Sequence, residues 1–314
     1  MRTFARHLML GIALSGVACD AAPVSPRTDA PPIEAISLLG DTLRRPTIAD
    51  ERLAAMRAQR DTARTAWEAD NASPDALIWY GRRVAYLGQF GDAIDLFSLG
   101  IDRFPEDPRF LRHRGHRYLT TRQLALAIAD FERAAAMVRG TPDQVEPDGQ
   151  PNARNIPTST LQSNIFYHLG LARYLQGEFE PALAAWSEEA ALGTNPDMRV
   201  ATSYWRYLTL RRLGRVEEAR ALADSISPDL EIIENSAYHQ LLLLFAGRLP
   251  LDSLTPTGDG SPADASTAYG VAAWHLIEGR SDSATALFRR LVAGPQWPAF
   301  GHLAAEAELA RQQP

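Results

Sequence analysis

The stretch PDALIWYGRRVAYLGQFGDAIDLFSLGIDRFPED, residues 74–107, runs directly into PRFLRHRGHRYLTTRQLALAIADFERAAAMVRGT, residues 108–141. Laid over one another, they pair Pro74 with Pro108, Leu77 with Leu111, Gly81 with Gly115, Ala93 with Ala127 and Phe97 with Phe131, each 34 residues apart. The small residues and the aromatic return as Gly170, Ala182 and Trp186, and again as Ala272, Ala284 and Phe288. A fixed period of this length means stacked supersecondary units, none able to bury its apolar face alone. Apolar steps of three and four within each unit predict two helices. Gly88 turns the chain between them in the first unit, and Arg122 and Gln123 hold that turn in the second. Gly81 and Ala93 let the two helices approach closely. Phe97 then fills the space between one pair and the next.

In this spacing the chain resembles the tetratricopeptide repeat family over about residues 74–293. The resemblance implies an all-α, right-handed solenoid of helix pairs with capping helices at both ends, the first helix of each pair lining a concave surface. It also implies a scaffold that binds a protein or peptide, and not an enzyme. The hydrophobic content of 46% with 22% charged residues is that of a globular chain.

Residues 1–18 read as a signal peptide, because Arg2, Arg6 and His7 precede an apolar stretch, Leu8 to Val17, too short to cross a bilayer. Cys19 is the sole cysteine, so no disulfide can form within one chain. Gly16-Val17-Ala18-Cys19 resembles a bacterial lipobox, with glycine where leucine is usual. That resemblance implies acylation of Cys19 and a lipid anchor to a membrane of the cell envelope. An ordinary secretory signal would leave a secreted or periplasmic protein instead. Residues 19–32, rich in alanine and proline, suit a flexible tether.

Residues 33–73 are expected to form N-terminal capping helices, and 74–141 hold repeats one and two. The period breaks at 142–160, a polar loop with Pro142, Pro147, Pro151 and Pro157, of a length unusual inside a compact array. Residues 161–254 hold repeats three and four and a degenerate half repeat. In the fourth, Tyr207 takes the small first-helix place and Ala223 the aromatic one. A second loop spans 255–264. Residues 265–314 hold repeat five and a capping helix, Ala299 to Gln312.

The net charge is −6, and −8 without the first 18 residues, which is not the footprint of a nucleic-acid binder. No phosphate loop, zinc-protease motif, nucleophile elbow or dinucleotide fingerprint occurs. His113 and His116 lie three apart but are flanked by arginines, which repel a cation. Asp259, Ser261 and Asp264 lack the spacing of a calcium loop. Neither metal nor cofactor is expected. Cations do concentrate at Arg82, Arg83, Arg109, Arg112, Arg114 and Arg117. Groove-facing places carried over from the family fall on Arg82, Arg112 and His116, then on Tyr167, Tyr174, Tyr204, Arg211 and Tyr269. Arginines beside tyrosines suit a partner with carboxylates and apolar parts; alternatively, acids such as Asp75 and Asp107 pair the arginines on a solvated face. Among functions, the chain is similar to tetratricopeptide lipoproteins that serve envelope assembly or recruit cell-wall enzymes. Two alternatives stay open: a lipoprotein that captures glycan or peptide substrates, and an enzyme with its site at the 140–160 loop, where no obvious nucleophile or acid pair stands.

Overall fold

The computed structural model describes residues 30–193, 195–254 and 261–313, and among these the chain forms a strand hairpin and thirteen α-helices. Cys19, the signal segment, nearly all of the tether and most of the second loop, including Asp259, lie outside the described residues. The helices are α1 (Asp50–Ala69), α2 (Pro74–Tyr86), α3 (Phe90–Arg103), α4 (Pro108–Thr120), α5 (Leu124–Val138), α6 (Leu161–Gln176), α7 (Phe179–Ala191), α8 (Pro196–Arg212), α9 (Val216–Asp224), α10 (Ser236–Phe245), α11 (Pro262–Ile277), α12 (Ser281–Val292) and α13 (Phe300–Ala310). No helix among the described residues is long and apolar enough to cross a membrane.

First helices start in a common way. Ser73, Asp107, Asn195 and Ser261 cap α2, α4, α8 and α11 by accepting a backbone N–H, and each is followed by a proline at the start of the helix. A side-chain oxygen there satisfies an otherwise orphaned amide, and proline has no amide to lose. At α6, Thr160 and Ser163 form a reciprocal capping box. The turns inside the pairs need a left-handed residue. Gly88, Gly177, Gly214 and Gly279 supply it with φ between +73° and +84°. In the second pair Arg122 takes that conformation at φ +65°.

Within the first three pairs, the small residue of the first helix faces the aromatic of the second. A Cβ on Gly81 would lie 2.5 Å from the Phe97 ring, and one on Gly115 would lie 3.0 Å from Phe131. Trp186 closes over Gly170 in the same manner. The aromatics also reach the next pair: Phe97 stacks on His113 at 5.3 Å and Phe131 on His168 at 5.8 Å. In the fourth pair large and small change sides, and both Tyr207 and Ala223 are buried.

Three segments depart from a plain solenoid. First, the expected capping helices begin only at Asp50; before them stands an antiparallel hairpin, β1 (Ile33–Ile36) and β2 (Thr42–Arg44). Ala35 and Leu43 form a small core with Phe90 and Trp297, and Glu34 accepts the N–H of Phe90 at 2.9 Å. These partners lie far along the chain, which is why a local helical reading fails there.

Second, the 142–160 loop is an ordered strap. Val145 bridges Thr160, the Gln144 carbonyl accepts from Leu161 at 2.8 Å, and Arg154 pairs with Glu231 at 2.5 Å. Glu234 takes bonds from Asn152 and Thr158.

Third, α13 packs on α11 and α12 as a cap does, yet also runs along the first helices of earlier pairs. Its residues Gly301 to Leu309 are all buried, so it has no solvent face. Phe300 meets His116 and His168 at 5.6 and 5.5 Å, and Arg311 donates to the Leu175 carbonyl at 2.9 Å.

Candidate partner-binding site

The first-helix face of the array is largely occupied by the chain itself. Two acids of α13 account for much of this. Glu306 pairs with Arg122 at 2.5 Å, both side chains at most 2% exposed, and accepts the Leu38 N–H at 3.1 Å. Glu308 pairs with Arg212 at 2.9 Å and Arg311 at 2.8 Å. The expected groove tyrosines lie under this helix or in the core behind it. Tyr174 and Tyr269 share a hydroxyl–hydroxyl bond of 3.0 Å, and Tyr269 points to Glu308. Tyr167 accepts from the Trp205 indole at 2.8 Å, and Tyr204 stacks on Tyr238 at 4.7 Å. All four are buried, and burial raises the pKa of each hydroxyl. Arg211 stands apart, bonded to Tyr207, the Ile277 carbonyl and Glu278.

Arg82, Arg112 and His116 do come together, at the N-terminal end and beneath the strap. All three line one cavity of about 180 Å³ with Arg117, Glu146 and Asp148. Nε of Arg112 lies 2.8 Å from Oε2 of Glu146, without a hydrogen-bonding angle. Its Nη1 reaches Nδ1 of His116 at 3.2 Å. A guanidinium only donates, so this imidazole accepts and is neutral. Burial and the neighbouring arginines hold His113 and His116 well below the usual imidazole range.

A more accessible feature lies beside this cluster, between α1 and α2. Helix α1 buries no residue fully. It leaves two cavities of about 450 and 440 Å³ that share Gln59 and Arg83 in their walls. One is floored by Trp79; the other is bounded by Arg52, Tyr86 and Gly149 to Pro151 of the strap. No acid lines either. The guanidinium groups of Arg82 and Arg83 stand over the Trp79 ring at 4.5 and 5.2 Å. Arg83 donates to the Gly149 carbonyl at 2.8 Å and Arg52 to the Gln150 side-chain oxygen at 3.1 Å. The groove reading from sequence missed Trp79. Its place three and four residues before Arg82 and Arg83, hence on their helix face, was the available signal.

The recurring glycine-to-aromatic contact, the 34-residue step and the shared cap-proline start now stand together. The fold is a tetratricopeptide-type array. The solved structure of YrrB, a TPR protein with an unusual peptide-binding site, is similar over 81% of this chain and 100% of its own, at 12% identity and a TM-score of 0.43. A putative kinesin light chain of Podosopora anserina with nearly identical TPR-like repeats is similar over 77% of this chain and 95% of its own, at 14% identity and a TM-score of 0.39. No protein-family model and no curated protein matches the chain.

Proposed function

We propose that the protein is an exported scaffold, held to a membrane of the cell envelope by a lipid on Cys19, that binds an extended acidic segment of a partner protein in the α1–α2 cleft. One observation carries this reading: the cleft presents Arg52, Arg83, Trp79 and Tyr86 with no acid in its walls. The strap gives an internal sample of the interaction, since Arg83 and Arg52 already take oxygens from its backbone and from Gln150. A partner carboxylate would accept more strongly than those neutral oxygens. An apolar side chain beside it would rest on Trp79. The deep arginine Arg112, by contrast, is buried beneath the strap beside Glu146, out of reach of an extended partner segment.

The test uses the mature chain, immobilised and exposed to solubilised envelope. Trp79→Ala with Arg83→Gln should lose the partner by at least about tenfold. Arg220→Ala, a change of an exposed arginine elsewhere, should keep it. Equal capture by the double variant rules the cleft out. The anchor is checked separately by mass spectrometry of the N-terminal peptide, which should begin at an acylated Cys19; an unmodified internal Cys19 removes it.

A further inference from the structure

We propose that a small oxyanion of the phosphate or sulfate class binds in the cavity beneath the strap, held by Arg82, Arg112 and Arg117. The cavity measures about 180 Å³, roughly the share of six waters at about 30 Å³ each. Three guanidinium groups border it and their counter-charges fall short. Arg117 has no hydrogen-bond or ion-pair partner among the described residues, and its side chain lies 5.5 Å from the Phe90 ring. Arg82, 8% exposed, bonds the Tyr86 hydroxyl at 3.3 Å and, among the described residues, no carboxylate. Arg112, 7% exposed, has its Nε sealed from solvent with no aligned acceptor.

Against these three cations stand Glu146 and Asp148, both from the strap. Glu146 is shared, since it also accepts from Asn164 at 3.1 Å. Burial, together with Glu234 and Glu146 nearby, pushes the Asp148 carboxyl upward and weakens it as a counter-ion. The two imidazoles that line the cavity, His113 and His116, and His168 against His116, are held well below the usual imidazole range and add no charge. Burial and mutual repulsion with Arg112 and Arg82 bring Arg117 down to about 10. Crowded like charges of this kind, two buried and one half-buried, are relieved by a bound anion. A tetrahedral oxyanion can offer an oxygen to each of three guanidinium groups, whereas a planar carboxylate offers two oxygens in one plane.

The experiment titrates the folded mature chain with inorganic phosphate and, separately, sulfate, by calorimetry and by thermal shift. Sodium chloride at equal ionic strength is the control. Saturable binding above chloride is expected for at least one of the two. Arg117→Gln should weaken it at least about tenfold, and Arg82→Gln serves in its place if Arg117→Gln does not fold. Glu146→Gln removes the competing internal anion and should tighten binding, a sign that loss of a purely structural ion pair would not give. Arg52→Gln, which changes the partner cleft and not this cavity, should bind the anion as wild type does, which separates the two sites. No saturable binding of either anion, or an unchanged constant in both the arginine and Glu146 variants, overturns the proposal.

Discussion

Replacing Arg122 by glycine sets two effects of opposite sign against each other. Arg122 sits in the left-handed conformation at φ +65°, where the equivalent turns carry glycine. A side chain there costs roughly 1–2 kcal/mol, so glycine alone would stabilise the turn. The same side chain neutralises Glu306 at 2.5 Å in a site closed to solvent, and donates to the Thr120 and Trp297 carbonyls at 2.6 and 2.8 Å. Removing one partner of a buried pair costs about 3–5 kcal/mol. The difference is a net loss of about 1–4 kcal/mol for Arg122→Gly. Glu306→Leu should also destabilise, because it strands the arginine. The double variant should cost at least about 2 kcal/mol less than the sum of the two, since no unpaired charge remains. Urea unfolding followed by circular dichroism reads all four proteins. A single Arg122→Gly variant as stable as wild type, or more stable, would refute the reasoning: the turn strain would then outweigh the ion pair.

Acid titration tests the same pair. Burial pushes the Glu306 carboxyl upward, but hydrogen bonds from His302, Arg122 and the Leu38 N–H, with the charge of Arg122, bring it down to about 2 from 4.5. The folded value is below the unfolded one. The contribution, about 3 kcal/mol, is therefore present above pH 4.5 and lost as the pH falls towards 2. Glu306→Gln should lack that part of the acid unfolding limb. In the core, Phe131→Ala should cost roughly 3–5 kcal/mol by urea unfolding, as Phe131 is fully buried between Gly115 and His168. Gly170→Ala, forced against Trp186, should cost about 1–3 kcal/mol in the same assay. Glu234→Ala removes the acceptor for Thr158 and Asn152, and should speed tryptic cleavage after Arg154 with little change in the unfolding midpoint.

The repeat frame was legible because it is local. The glycine and aromatic of each pair lie 16 residues apart and meet in the same pair, so spacing alone identifies them. The exchange of Tyr207 and Ala223 was visible for the same reason. What escaped depends on distant partners. Ile33 to Arg44 pairs as a hairpin because Phe90 and Trp297 cover it. Tyr174 and Tyr269 are buried beside Glu308 of α13, and Tyr167 and Tyr204 behind them against Trp205 and Tyr238; nothing near Tyr174 in sequence announces this. One local clue existed: Arg122 where the other pairs have glycine is a misfit that calls for a compensating partner, and Glu306 supplies it. Arg82, Arg112 and His116 line one cavity. That the strap would bring Glu146 to it could not be read from the strap's own composition.

The central claim is that α13 occupies the first-helix face of its own array, with the hairpin and Arg122 closing over it. Amide hydrogen exchange of the native protein, resolved to the peptide covering 300–310, tests this directly. Those amides should exchange as slowly as the middle of α6 and α8, only through global opening, because Gly301 to Leu309 are buried on every side. Exchange of that peptide as fast as the one covering α1, which buries no residue fully, would contradict the claim and leave an open concave face with α13 as a frayed end cap.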